Sequence, residues 1–465
     1  MKRLLAGLFA CALATLPIAS AAAAAPREGV ASLQPMDDAE AARMAARVRG
    51  EFLHAWTGYR TYAWGHDALL PLSKAPRDWY ARSLLMTPVD ALDTLLLMGF
   101  DDQAKEAREL IDTKLSFDAD VDVKHFEVVI RLLGGLLSGY QRTGDPRLLA
   151  LAQDLGNRLL PAFDSPTGLP YVNVNLRSGR ASGTDSNPAE AGTLLLEYGT
   201  LSRLTGNPVY YAKAKRALVE TYRRRSKLGL VGERFDVDTG GWTRTTSHVG
   251  ARIDSYYEYL WKCWRLFGDR DCLAMWKPSI AAVDRYVLED VHGALWSGQV
   301  DMATGVRTGH EYGALDAFFP GLLAYSGDVQ RARRLQDSSF AMWQANGIEP
   351  EAYDYAKRDV TAAEYPLRPE IVESTWYLYR LTGDARYRTM GKVLFEDFVR
   401  YCRTDAGYAA LKDVVAKQQA DDMESFVLAE TFKYFYLLFA PPATLDLDDV
   451  VLNTEAHPLR RIEPR

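Results

Sequence analysis

Cysteine is scarce in this chain, with four in 465 residues, and one of them, Cys11, falls in the first 25 residues. The other three, Cys263, Cys272 and Cys402, are an odd number, which excludes a complete disulfide framework. A Cys263–Cys272 bridge across a helix turn stays open at this point, with Cys402 left as a buried thiol. No His/Cys spacing fits a zinc site and no EF-hand loop is present. Beyond the N-terminus there is no run of about twenty uncharged apolar residues, which argues against a membrane span. An excess of positive charge is also missing. Lys and Arg total 55 against 61 Asp and Glu, a formal charge of -6, and no basic stripe stands out. Nucleic acid is therefore excluded as a partner. Low-complexity sequence is confined to an alanine tract near the start.

That start has the form of a secretory signal. Lys2 and Arg3 precede an apolar run from Leu4 to Ile18, and Ala21 to Ala25 offer small-residue cleavage sites. Residues 1–25 are thus expected to be a signal peptide, placing the mature chain in a periplasm or outside the cell. Loss of Lys2 and Arg3 takes the formal charge to -8.

The remaining composition, 48% apolar and 25% charged, is that of a chain able to bury a large core. Its punctuation is regular. Gly-Asp or Gly-Asn steps at Gly144-Asp145, Gly206-Asn207, Gly268-Asp269, Gly327-Asp328 and Gly383-Asp384 each close one apolar helical run and open the next. Glycine suits the left-handed residue beyond a helix end, and Asp or Asn suits the N-cap that follows. The glycines are 62, 62, 59 and 56 residues apart, room for two helices and their loops. Weaker joints at Gly99-Phe100-Asp101 and Ala440-Pro441-Pro442 bring the units to seven. Segments such as Phe126–Leu137 are apolar nearly all round and belong in an interior. Strand-like stretches, Tyr171 to Asn175 among them, are few and short. The reading is all-α: residues 26–465 as one domain, seven outer and seven inner helices closed in an (α/α)7 barrel, with an open solenoid as the alternative. A closed ring needs no partner, so a monomer is expected.

The helices that end at these joints carry acids toward their starts: Asp90, Glu127, Glu190, Asp254, Glu370, Glu373 and Glu430. If the helices are parallel around a ring, the acids gather at one end. Acids near helix starts also complement the macrodipole, which is a sufficient reason for Asp90 and Glu190. Glu127 has apolar neighbours on both sides, and a carboxylate buried there requires a partner; Arg131, four residues on, shares its face. Glu370 and Glu373 follow Arg368-Pro369 and lie three apart on one face. Like charges in an interior repel, and a hard cation held by oxygens and water, Ca2+ in character, is a natural remedy. Glu424, Glu430, Thr454 and Glu455 could add oxygens to such a site.

At these residues the chain resembles glycoside hydrolase family 47, the class I α-1,2-mannosidases. The resemblance is carried by Tyr62-Ala-Trp-Gly-His66-Asp67, Asp90-Ala-Leu-Asp93, Phe126-Glu127 with Arg131 and Gly134-Gly135, Arg252 with Asp254-Ser-Tyr-Tyr-Glu-Tyr, Arg368-Pro369-Glu370 with Glu373-Ser374, Glu424-Ser-Phe426 with Ala429-Glu430-Thr431, and Asn453-Thr454-Glu455-Ala456-His457-Pro458. It covers most of the mature chain. It implies an (α/α)7 barrel, calcium, and removal of terminal α-1,2-linked mannose from oligomannosides with inversion. By the same resemblance Glu370 is the general base, Glu127 the position given the general acid, and Asp254 a competing or assisting acid. Thr454 would bind the ion through its hydroxyl and carbonyl, with Glu373, Glu430 and Glu455 holding the ion's waters or the sugar. Arg131, Arg368, Pro369 and Phe426 would line the terminal mannose pocket, and Arg252 resembles the arginine that selects the glycan arm. The chain departs from the trimming enzymes at Gly313-Ala314-Leu315-Asp316, where they typically carry a histidine before the leucine. Two other readings of the sequence are a lectin-like member with little turnover and another helical-toroid enzyme, a polysaccharide lyase or sugar epimerase.

Overall fold

The structure, a computed structural model, describes residues 33–461; the proposed signal, residues 1–25, lies outside them. Each expected joint is present. Gly144, Gly206, Gly268, Gly327 and Gly383 have φ of 72, 75, 68, 99 and 68°, and Gly99 has 71°. Asp145, Asn207, Asp269 and Asp328 cap the next helix by accepting a backbone N–H. The joints link outer helices Asp38–Tyr62, Asp101–Lys114, Pro146–Leu159, Pro208–Arg223, Arg270–Tyr286, Val329–Asn346 and Arg386–Cys402 to inner runs that alternate with them. The inner set begins at Met86, His125, Pro188, Asp254, Ala314, Glu370 and Val427. The first outer helix packs on the last inner one, Phe432–Phe439, which closes the ring. This is the (α/α)7 barrel, and one continuous cluster of buried apolar side chains runs from Met36 to Leu459.

Strands are short, as expected, but more numerous than the sequence suggests: among the described residues they form eight sheets of two or three strands. The loops that lead from outer to inner helices are long, and their backbone polar groups pair with one another because they are partly buried. Seven of the sheets are built from these loops, at the end of the ring where the inner helices begin, and the eighth is the C-terminal hairpin. Cys263 and Cys272 are bridged across the Gly268 joint, Cα to Cα 6.0 Å, and Cys402 is a buried free thiol. Among the described residues no helix is long and apolar enough to cross a membrane.

The ring interior is filled by the C-terminal hairpin, Val450–Leu452 paired with Pro458–Arg460. Its turn is anchored by groups on three inner runs. Asn453 Nδ2 donates to Ile130 O (2.9 Å) and Glu197 Oε1 (2.7 Å), and the Thr454 N–H donates to the Tyr259 hydroxyl (3.3 Å). His457 sits between Asp93 (Nδ1–Oδ2 2.7 Å) and Asp90 (Nε2–Oδ1 3.0 Å), and Lys433 Nζ lies 2.7 Å from Asp93 Oδ1. All four side chains are buried. Gly134 and Gly135 admit this turn: a Cβ on Gly134 would meet Asn453 Nδ2 at 2.7 Å, and one on Gly135 would meet Val89 O at 2.8 Å.

In this network burial opposes the charges and the ion pairs overcome it. Lys433 and His457 hold Asp93 far below the usual carboxylate range, and Asp93 and Asp90 raise His457 from 6.5 to about 9. A histidine raised on folding adds stability that is complete below its unfolded value and is lost as pH rises through the folded one. Urea unfolding should therefore show stability declining by about 3 kcal/mol between roughly pH 6.5 and 9. The decline should be smaller by about that amount in His457→Gln, other buried groups raised on folding accounting for what remains, and the variant should be less stable than the parent at neutral pH. A parent stability flat across that window would contradict the assignment.

Candidate active site

The acids do collect at one end. A cavity of about 350 Å³ opens among the starts of the inner runs, and Glu127, Arg131, Arg252, Asp254, Arg368, Pro369, Glu370, Glu373, Phe426, Glu430, Thr454 and Glu455 all line it. Every site residue expected from the sequence is thus in one cavity. Three other expected acids divide. Glu190 lines the cavity but is paired with Lys124 (2.9 Å). Asp90 lies beneath it, bound to His457 and Ser425. Glu424 is not a candidate ligand after all: it is held by Arg77 and by the Trp79 indole N–H (2.9 Å).

One wall is formed by Glu370, the first residue of helix Glu370–Thr382. Beside it Arg368 makes a two-pronged pair with Glu351, 3.1 Å from Nε and 2.6 Å from Nη2. Glu370 Oε2 is buried with no hydrogen-bond partner, and burial lifts the group to about 7 against the pull of Arg368. A buried carboxylate beside an open cavity, with one oxygen unpaired by protein groups, is suited to accept a proton from water.

Glu127 and Asp254 line the same cavity, in contrasting surroundings. Glu127 Oε2 faces Arg131, 3.2 Å from Nη2 and 3.3 Å from Nε, and its Oε1 faces Lys124 Nζ at 3.7 Å. Asp254 accepts from the Ser255 N–H (2.6 Å) and hydroxyl (3.1 Å). Burial is the largest influence on Asp254 and lifts it to about 6.

The floor is the most acidic part. Glu373 and Glu455 are each lifted to about 8 by burial, and Glu430 is pushed well above its ordinary value by burial and by Glu455, Glu370 and Glu373. Arg131 is the principal counter-charge, pairing with Glu455 as well as Glu127, with Asp90 at 3.8 Å. Its guanidinium also lies over the Trp79 ring (5.2 Å) and the Phe426 ring (5.7 Å). Lys262 pairs with Glu258 at the edge of the same floor.

Two helical turns are wound wide where they deliver these groups. Val129–Leu133 and Val427–Thr431 are π-helical and hold Arg131 and Glu430, features often found at functional sites. Arg252 stands at the rim with φ 74° and pairs with Glu233. Beyond it a second cavity of about 310 Å³ is lined by Glu233, His248, Asp316 and Glu351. Leu315 lines both cavities.

The floor fits a hard cation bound largely through water. Its donors are carboxylates and a threonine hydroxyl, all oxygen, and the buried acids outnumber the cations facing them. No three carboxylates there converge closely enough to form a direct cage. Among the described residues the only tight grouping of that kind is Cys263, Asp269 and Cys272, whose sulfurs form the disulfide.

Sequence reasoning missed Lys124, Glu351 and the Glu258–Lys262 pair. Lys262 lies four residues beyond Glu258, a signal that was available; the partners of Lys124 and Arg368 are brought together by loops and carried none.

An acid-lined cavity in the mouth of a helical toroid, with several buried carboxyls and an aromatic face, fits a glycoside hydrolase. The family model for glycosyl hydrolase family 47 matches residues 51–461, and the chain belongs to that family. It is 37% identical to alpha-mannosidase I MNS5 of Arabidopsis thaliana, over 90% of this chain and 77% of that protein. It is also 37% identical to mannosyl-oligosaccharide 1,2-alpha-mannosidase MNS1 of the same plant, over 90% and 79%. Among solved structures, the alpha-1,2-mannosidase from Trichoderma reesei superposes with a TM-score of 0.84 at 28% identity, covering 90% of this chain and 99% of that one. A cellobiose 2-epimerase from Bacillus thermoamylovorans, at 13% identity and TM-score 0.54, shares the fold alone.

Arg131 joins two walls and the floor, so its loss leaves buried carboxylates without their main partner. Arg131→Met is expected to lower stability by about 3–5 kcal/mol in urea unfolding at pH 7. Because those acids take up protons instead, the deficit should shrink as pH falls. A deficit independent of pH would mean that the guanidinium acts by packing alone.

Proposed function

We propose that this protein is an exported, calcium-dependent exo-α-1,2-mannosidase that works with inversion and acts as a monomer. The observation that carries the reading is that a buried Glu370, with one oxygen unpaired, lines the same cavity of about 350 Å³ as Glu127 and Asp254. The activity named for the relatives supports the substrate, and the disulfide supports an oxidising compartment.

Inversion requires a base and an acid on opposite faces of the scissile bond, with room for water between them. Glu370 would take a proton from that water as its oxygen bonds to C1. Glu127 or Asp254 would give a proton to the departing O2 of the next sugar. Phe426 offers an apolar face to the ring, and Arg131 and Arg368 offer donors to its hydroxyls. A calcium ion on Thr454, with Glu373, Glu430 and Glu455 holding its waters, would neutralise the floor and fix hydroxyls of the terminal sugar. Arg252 at the rim, with the second cavity behind it, is placed to meet the rest of the glycan.

Purified protein should release mannose from α-1,2-mannobiose, lose that activity in EGTA and regain it with calcium, with β-mannose as the first anomer seen by NMR. Glu370→Gln should lower kcat by roughly 10³ or more while mannobiose still binds. Binding in calcium without any release by the parent would make the chain a glycan-binding protein instead.

A further inference from the structure

The motif Tyr62-Ala-Trp-Gly-His66-Asp67 supplies no residue to the cavity. Its last two residues instead shape a strap, residues 77–80, in the loop that joins the first outer helix to the inner run beginning at Met86. Asp67 is fully buried and spends its carboxylate on that loop. Oδ2 accepts the Trp79 N–H (3.0 Å), and Oδ1 accepts the Leu84 N–H (2.8 Å), the Met86 N–H (3.0 Å) and the Ser83 hydroxyl (3.0 Å). His66 Nδ1 lies 3.1 Å from Asp78 Oδ1, which also accepts the Asp67 N–H (3.1 Å). Hydrogen bonds to a charged acceptor are the strong ones, and here they fix the course of the loop.

The side chains of the strap are tied to segments far away in sequence. Arg77 pairs with Glu424 and with Asp422 (2.9 Å), the Trp79 indole N–H donates to Glu424 Oε2 (2.9 Å), and the Tyr80 hydroxyl accepts the Lys124 N–H (3.2 Å). These ties hold the Trp79 ring 5.2 Å from Arg131 Cζ. The N–H groups of Arg131 are taken by Glu127 and Glu455, with Asp90 at 3.8 Å. Several acids thus compete for one guanidinium, and contacts at its edge leave the plane free to turn among them. A planar, weakly hydrated cation accepts aromatic rings on its faces, so a ring held rigidly beside it favours one plane. Phe426, at 5.7 Å, is the other ring beside Arg131, and it lines the cavity; Trp79 is not among the lining residues.

We propose that Trp79 is a positioning residue for the sugar pocket: held by Asp67 and Glu424, it sets the plane of Arg131 and, through it, the places of Glu127 and Glu455 in the cavity. The inference rests on the mannosidase reading above. It gives Glu424 a task other than binding an ion, and it links the Asp67 motif to a site that the motif does not touch.

The test is a double-mutant cycle on binding of α-1,2-mannobiose, measured by calorimetry in calcium in the Glu370→Gln chain so that turnover does not intervene. Trp79→Leu should weaken binding ~10-fold, and Trp79→Phe, which keeps a ring, should stay within ~3-fold. Arg131→Lys keeps the charge and removes the planar guanidinium; adding Trp79→Leu to it should cost less than ~2-fold more. Glu424→Leu frees the indole while leaving the ring and Arg131 in the chain, and should weaken binding ~3-fold or more. Glu424→Gln, which keeps an acceptor for the indole N–H, should restore most of that loss. The two Glu424 variants decide the question where Arg131→Lys binds too weakly to titrate. Parent-like affinity in Trp79→Leu or Glu424→Leu, or the same loss from Trp79→Leu with arginine and with lysine at 131, would overturn the proposal. A parent that neither cleaves nor binds mannobiose defeats the mannosidase reading and the inference with it; an active parent whose Trp79→Leu variant binds normally defeats the inference alone.

Discussion

A carboxylate can be buried only with a counter-charge or a proton, and the mouth of this ring buries many more carboxylates than it has cations to match. Glu373, Glu430 and Glu455 share a floor whose principal cation is Arg131. Each is pushed upward by burial and by its neighbours, so without a cation the floor is a set of reluctant acids. That surplus explains why the walls are arranged as they are. Lys124, Arg368 and Lys262 each neutralise one region of the rim or wall, and the centre is left for a hard cation and for substrate hydroxyls.

The C-terminal hairpin makes this arrangement possible. It fills the ring from within, and its turn presents Thr454 and Glu455 to the cavity while Asn453 and His457 fasten it to the inner helices. Glycine at 134 and 135 is required by that approach, since side chains there would occupy the space of Asn453 and Val89. Stability and site geometry are therefore linked: the buried Asp90–His457–Asp93–Lys433 network that secures the hairpin lies directly below the carboxylates that would do the chemistry.

Much of this was legible in the sequence, for identifiable reasons. The joints were readable because a left-handed glycine followed by a capping Asp or Asn is a local requirement, met at Gly144, Gly206, Gly268 and Gly327 without tertiary help. The cavity acids were readable because each sits near the start of an inner run, so parallel packing brings them together. Strands of two to four residues left little periodicity to detect. The π-helical turns at Val129–Leu133 and Val427–Thr431 had no sequence signal. The ion pairs Arg368–Glu351 and Lys124–Glu190 depend on how loops fold back, and Glu424 was misplaced because its partner Arg77 is distant in sequence. Direct binding of the ion by the Thr454 hydroxyl and carbonyl came from the resemblance, since the residues themselves marked Thr454 only as one possible oxygen donor among several.

The central claim, that a surplus of buried acids at the ring's mouth is resolved by a cation, is tested most directly by calorimetric titration of the ion-free protein with calcium at pH 7 in two buffers of different ionisation enthalpy. Acids lifted to about 8, as Glu373 and Glu455 are, should lose protons as the ion arrives, so the apparent binding enthalpy should differ between buffers by an amount corresponding to net proton release. Calcium binding with the same enthalpy in both buffers, or no binding at all, would contradict the account.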